Sequence, residues 1–194
     1  MWKEILYCGG AYLSGSVLYA PLLGKCFGVD PRKTGTDGNP GAANAFRSGG
    51  VLLGILVLLF DFLKGFIPVF LLFEKAQRLQ TILAIAPVAG HVFPVFFHFK
   101  GGKGIATTFG VWGGLTYWVI PSILGSTFSA FLLLRHLINI TLSDHLAVTI
   151  GMIHLSGWTL LRYGHPYFLI ALFNTALLIF THRHEFRRKG QNYV

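Results

Sequence analysis

Lys100-Gly101-Gly102-Lys103-Gly104 is the stretch of this chain best equipped for chemistry. Its three glycines let the backbone turn N–H groups onto an anion, because glycine has no Cβ and takes positive φ cheaply. The two lysines add charge, and an apolar segment resumes at Ile105, where the amino end of a helix attracts anions. A second loop repeats the chemistry: Arg32-Lys33-Thr34-Gly35-Thr36-Asp37-Gly38-Asn39-Pro40-Gly41-Ala42-Ala43-Asn44, followed by Arg47. Neither is a Walker A loop. Two readings stand on the residues alone. The loops form a phosphate site at a membrane surface, or they are glycine-rich connections whose lysines anchor helix ends among lipid headgroups.

The elements that must carry these loops are apolar. Of 194 residues, 53% are hydrophobic and 12% charged, a membrane composition rather than a soluble one. Lys+Arg 16 against Asp+Glu 7 gives a net charge of +9. In such a chain the excess points to the positive-inside rule and anionic headgroups, not to nucleic acid. Cys8 and Cys26 are too few for a disulfide framework and lie near opposite ends of one apolar segment, so no bridge is expected. The start MWKEILYCGG lacks the basic beginning of a signal peptide, and the first helix is expected to be retained.

A span needs roughly 20 mostly apolar residues. The first is expected from about Ile5 to Leu23, with a small GGAYLSGS face for close helix packing. The loop from Gly24 to Gly49 follows, then a second span to Phe73 and a third over about Leu79–Phe97. The apolar stretch after GGKG is too long for one helix. Gly113, Gly114 and Pro121 divide it into spans near 105–119 and 121–138, and two more cover about 145–161 and 166–181. The expectation is therefore an all-α integral membrane protein, a single domain over 1–194 with about seven transmembrane helices.

Charge orients it. One side carries Lys25, Arg32, Lys33, Arg47, Lys100, Lys103, Arg135, Arg183, Arg187, Arg188 and Lys189; the other carries Lys3, Lys75, Arg78 and Arg162. The imbalance predicts an external N-terminus and a cytoplasmic C-terminus. It puts both glycine-rich loops and the basic tail on one face.

Asp61 and Lys64 fall inside the second span, where charge is costly. Their i, i+3 spacing lets them pair, and a structural pair near the external boundary is expected. His91 reads as a packing or hydrogen-bonding group, and His154 and Asn174 as core. The chain has no clustered His/Cys/Asp/Glu set, so neither metal nor cofactor is expected. None of the eight histidines has Asp five positions later, which excludes the H-x-x-x-x-D acyltransferases.

The stretches GSVLYAPLLGK (15–25), GNPGAANAFR (38–47), DFLKG (61–65), GHVFPVF (90–96), FKGGKGIATTFG (99–110) and HRHEFRR (182–188) carry a resemblance. In this order the chain resembles the bacterial acyl-phosphate:glycerol-3-phosphate acyltransferases, integral membrane enzymes that begin phospholipid synthesis. The resemblance implies a seven-helix fold in the inner cell membrane with an active site open to the cytoplasm. Acyl phosphate would be the donor and glycerol 3-phosphate the acceptor, giving 1-acyl-glycerol 3-phosphate and phosphate. It also implies, as a partner, the soluble enzyme that makes acyl phosphate.

Carried onto this chain, the resemblance makes Lys103, Arg47 and His182 the catalytic set. Around them it puts substrate-binding positions at Asp37, Gly38, Asn39, Gly41, Asn44, Lys100, Gly101, Gly102, Gly104, Thr107 and Glu185. Arg47 suits bidentate phosphate binding, and Lys103 acts as a point charge. Asn39 and Asn44 either donate to phosphate or hold the turns of the loop. Asp37 is expected to brace its loop, as an Asx turn or a cation's partner. The chain departs from the family at Gly35-Thr36-Asp37-Gly38-Asn39, which is one residue longer and has Thr or Asp in place of Ser. Leu18 stands for a proline, Ser143-Asp144-His145-Leu146 for a serine-bearing stretch, and Glu185 for an Asn. An acyltransferase with another acceptor is thus one rival. The other is a transporter or lipid-binding membrane protein that uses Asp61, Lys64 and His91 as an intramembrane relay.

Overall fold

The protein is described by a computed structural model covering residues 1–34, 38–137 and 144–190, with main chain only at 144–145 and 184–190. These residues form eight α-helices and no strand. The helices are α1 (Trp2–Ser16), α2 (Tyr19–Cys26), α3 (Ala42–Leu72), α4 (Gln80–Val92), α5 (Ile105–Thr116), α6 (Val119–Leu137), α7 (Asp144–Tyr163) and α8 (His165–Gly190). Short 3₁₀ turns lie at Pro31–Lys33 and Val95–Phe97. Four helical segments, Ala42–Leu72, Gln80–Phe97, Val119–Leu137 and His165–Arg183, are long and apolar enough to cross a membrane. The pair α1 and α2, bent by 44°, makes a fifth if it counts as one span. Helix α5 has 12 residues and reaches only about 18 Å at 1.5 Å per residue.

The first apolar segment is therefore not one helix to Leu23. It breaks at Val17 and Leu18, whose ψ values of 115° and 105° are extended. Pro21 supplies the reason. A continuous helix would need residue 21 to donate to the Val17 carbonyl, and proline has no N–H and crowds that oxygen. The later break also moves. The chain turns at Tyr117, with φ 55°, rather than at Pro121, which sits in the first turn of α6 where a missing N–H costs nothing. Helix α3 starts at Ala42 but kinks at Gly50 (φ 76°), so its long straight part begins where the apolar run does.

Small residues set the tightest helix pairs, as expected where lipid offers no hydrophobic drive. A side chain on Gly65 would strike the Thr107 main chain, and one on Gly110 would strike Phe62, so α3 and α5 pack backbone to backbone. Gly15 abuts Pro87, and Gly90 abuts Tyr12, joining α1 to α4. Gly9 and Gly10 have open space, so the close-packing part of the GGAYLSGS face is its Gly15 end. The main core gathers Trp112, Met152, Leu155, Ile170 and Leu178 with Ala11, Leu83 and Val88.

The contacts sort the helix ends into two groups. At one end Glu4 accepts from the Arg78 main-chain N–H, and Phe73 and Tyr163 both pack on Tyr167. At the other, Phe93 packs on Phe180, and Gly102 meets His91. Asp61 and Lys64 do pair, with Nζ 2.6 Å from Oδ1. Their level differs from expectation. Lys64 donates to the Val17 carbonyl and Asp61 faces His91, so the pair lies beneath the glycine loop and not at the opposite boundary.

Candidate active site

The GGKG loop is seated by the end of α4. Pro94 follows that helix closely, and the chain passes through left-handed conformations at His98 and Phe99 before returning. The Gly102 N–H donates to the His91 carbonyl at 3.1 Å. A Cβ on Gly101 would collide with the His91 and Val92 carbonyls, and one on Gly102 with His91 Nε2. Both glycines are therefore required by close approach. Gly104, at φ 82°, is the N-cap residue of α5 and directs the helix start back into the bundle.

The first loop reaches the same place. The Cβ position of Gly102 lies 3.2 Å from Asn39 Oδ1, so the His91 ring and the Asn39 side chain converge on the side of Gly102 where a side chain would stand. Asn44, buried in the first turn of α3, donates through Nδ2 to the Asn39 carbonyl at 2.9 Å. Its Oδ1 accepts from Arg47 Nη1 at 3.0 Å. These bonds tie Asn44 into the loop and to Arg47. Gly41 caps α3 in an extended conformation, and Gly38 takes φ 62°.

The third contributor is α8. His182 is buried, and its Nδ1 lies 2.8 Å from the Leu178 carbonyl. A carbonyl only accepts, so Nδ1 carries the hydrogen and the neutral ring keeps its lone pair on Nε2. Thr181 Oγ1 lies 3.3 Å from the Lys103 carbonyl, which fixes the end of α8 to the loop. Arg47, Asn44, Asn39, Gly102 and His91 thus form one run of contacts, and Lys103, Thr181 and His182 a second, joined through the loop itself.

Other expected residues are placed as follows. Lys100, Gly101 and Gly38 line a cavity of about 480 Å³ beside the loops, with Arg32, His98, Phe96 and Phe97. Arg32 gives both Nε and Nη2 to Asp30 at 3.0 Å. Those bonds hold the Asp30 carboxyl below the usual carboxylate range. Thr107 is buried one turn into α5 with its methyl toward Gly65. Asp37, and the side chain of Glu185, lie outside the described residues. Cys8 and Cys26 are free thiols. His91 and Thr181 were not marked by sequence as parts of the site. No spacing signals either one, because both act through contacts that bring distant segments together.

Fold and site together define an integral membrane protein with a cationic, glycine-lined site where its loops and last helix meet. The comparisons agree with that class. The family model described as glycerol-3-phosphate acyltransferase matches residues 5–191. "Glycerol-3-phosphate acyltransferase 1" of Thermotoga maritima is 36% identical over 189 residues, covering 91% of this chain and 93% of that one. The Shewanella woodyi glycerol-3-phosphate acyltransferase is 44% identical over 129 residues, 65% of this chain and 63% of that one. Among solved structures, the chain is similar to PlsY (YgiH), an integral membrane glycerol 3-phosphate acyltransferase, in its glycerol 3-phosphate form. The TM-score is 0.84 at 31% identity, covering 98% of this chain and 93% of that one. The lysophosphatidic acid form of the same protein matches with the same TM-score. The chain belongs to the glycerol-3-phosphate acyltransferase family.

Proposed function

We propose that this protein transfers a fatty acyl group from acyl phosphate to the 1-hydroxyl of glycerol 3-phosphate, releasing 1-acyl-glycerol 3-phosphate and inorganic phosphate. The observation that carries the reading is the meeting of the two basic glycine-rich loops, Asn39 against Gly102, with the histidine-bearing end of α8 pinned to Lys103. The reaction brings two phosphates together, and the site offers two cations, Arg47 in the first turns of α3 and Lys103 on the glycine loop, to hold them.

Acyl phosphate is already activated, so no enzyme nucleophile is needed. Arg47 and Lys103 hold phosphate oxygens and offset the charge that grows as the acyl C–O bond breaks. The acceptor oxygen forms the new ester bond, and the electron pair of the broken bond leaves on phosphate. His182 Nε2 orients the acceptor hydroxyl, whose proton is taken up by the departing phosphate. Asn39, the glycines and Lys100 supply the rest of the binding surface.

The protein crosses the inner cell membrane seven times, with its N-terminus outside and the site open to the cytoplasm. The excess of Lys and Arg on the loop side supports this orientation. The two groups of helix ends support seven crossings, with α7 as one additional span and the short α5, entered from the glycine loop and closed at Tyr117 beside Phe70, as the other. The donor is delivered by the soluble enzyme that makes acyl phosphate. A relay through Asp61, Lys64 and His91 is disfavoured because Lys64 is committed to Asp61 and Val17.

The test is to purify the protein in detergent, add palmitoyl phosphate and glycerol 3-phosphate without metal, and follow phosphate release. No phosphate release above the enzyme-free rate rejects the reading.

A further inference from the structure

Three ionisable side chains lie buried directly beneath the glycine loop, and the acyl transfer just described uses none of them. Asp61, Lys64 and His91 are 2%, 4% and 3% exposed. Charge at such depth is retained only where partners satisfy it. Lys64 has two. Its Nζ is 2.6 Å from Asp61 Oδ1 and donates at 2.6 Å to the Val17 carbonyl, the oxygen that Pro21 leaves without its helical donor. Ser14 adds a bond from its hydroxyl to the Lys64 carbonyl at 3.0 Å, so α1 is joined to α3 just before the break and at it.

Asp61 then faces upward. Its Oδ1 lies 3.8 Å from His91 Nδ1, which places the imidazole over the ion pair. The opposite edge of the ring, Nε2, is against Gly102, while the His91 carbonyl accepts the Gly102 N–H. Asn39 meets the same face of Gly102, its Oδ1 3.2 Å from the Cβ position, and through Asn44 it leads to Arg47.

We propose that His91 is a positioning residue, seated over the Asp61–Lys64 pair, whose ring packs Gly102 beside Asn39 and so sets Lys103 relative to Arg47. The spacing of the two cations is thereby tied to the α1–α2 break through one continuous set of contacts. This rests on the acyl-transfer reading, since it assigns the spacing to two bound phosphates. It differs from a packing role because the ring must present its Nε2 edge, at that reach, to a residue that has no side chain.

A double-substitution cycle tests it. Wild type, Gly102→Ala, His91→Asn and the double variant are purified, and phosphate release from palmitoyl phosphate with glycerol 3-phosphate is measured. Gly102 is not in a positive-φ conformation, so the alanine is opposed by contacts and not by backbone strain. Asparagine keeps a polar atom near the Nδ1 position and removes the Nε2 edge. The expected result is that Gly102→Ala loses most turnover and that adding His91→Asn raises it at least about threefold, since residues in contact couple while distant ones multiply. His91→Gln, which restores an atom at the Nε2 reach, is expected to give no rescue. Losses that simply multiply, or a Gly102→Ala protein with the wild-type rate, overturn the proposal. If Gly102→Ala is not recovered folded, rescue is read as monodisperse yield of the double variant, and no recovery overturns it. An inactive wild type sinks the acyl-transfer reading, whereas an active wild type with independent losses sinks only this inference.

Discussion

The Thr181 hydroxyl stands 3.3 Å from the Lys103 carbonyl and joins the last helix to the glycine loop across 78 positions of sequence. The same hydroxyl is 2.9 Å from the Leu178 carbonyl, so its single hydrogen is shared between the two carbonyls, and the Leu178 oxygen also takes the Nδ1 hydrogen of His182. One turn of α8 therefore orients the histidine and holds the lysine loop together. Thr181→Val keeps the shape and removes the hydrogen. A neutral hydrogen bond contributes about 0.5–1.5 kcal/mol, so kcat/KM should fall roughly two- to tenfold. Thr181→Ser should stay near wild type. Steady-state kinetics of the two variants decide it: a loss in Thr181→Ser with Thr181→Val near wild type would assign the effect to the methyl group and not to the bond.

How much of this was legible beforehand differs from residue to residue. The apolar runs were readable because each span repeats one signal over many positions. The break at Val17 was not, since it turns on a single proline and on Lys64, which arrives from 47 residues away. That Asp61 would pair with Lys64 follows from their i, i+3 spacing, but the depth of the pair depends on which helices surround it. The glycines of GGKG were singled out for turning N–H groups onto an anion; that Gly101 and Gly102 also lie tight against the end of α4 was not foreseen. That the approaching group at Gly102 is the His91 ring could not be read, because nothing local relates position 91 to Asn39. Asn44 was open between substrate and loop, and its bonds to Asn39 and Arg47 could not be read from spacing.

Donor choice follows from the chemistry of the site. The chain lacks the H-x-x-x-x-D dyad, and in the proposed reaction the departing phosphate of the mixed anhydride takes the acceptor's proton. Acyl phosphate should support turnover, while acyl-CoA and acyl carrier protein should not. Chelators should leave the rate unchanged. Product formation by thin-layer chromatography with each donor checks this, and equal rates with acyl-CoA would reject the assignment.

Orientation can be read with single cysteines in a background in which Cys8 and Cys26 are serine. Lys33 and Gln77 are both exposed, one on the first loop and one between α3 and α4. A membrane-impermeant maleimide added to intact cells should label Gln77→Cys, and it should label Lys33→Cys only after the cells are opened. The reverse pattern would invert the bundle. Labelling of both from outside would remove α3 as a crossing.

Arg47 and Lys103 are the cations assigned to phosphate, and each should be costly to lose. A hydrogen bond to a charged group contributes about 1.5–3 kcal/mol, so Arg47→Ala and Lys103→Ala should each lower kcat/KM by roughly tenfold to a hundredfold or more. Those losses alone would not separate charge from placement, and Asn44 does. It is buried, gives its amide hydrogens to the Asn39 carbonyl, and takes one from Arg47. Asn44→Asp replaces the amide donor with an oxygen that faces the Asn39 carbonyl, and it offers Arg47 a full negative partner. The guanidinium is still present, but it is drawn to the carboxylate and away from substrate, and the loop loses its tie. The expected result is a loss comparable to Arg47→Ala, with the larger change in KM of whichever substrate Arg47 holds. Arg47→Lys should recover little, because a point charge cannot keep both the Asn44 bond and a bidentate phosphate contact. Kinetics of Asn44→Asp within about twofold of wild type would show that Arg47 is placed by something other than Asn44.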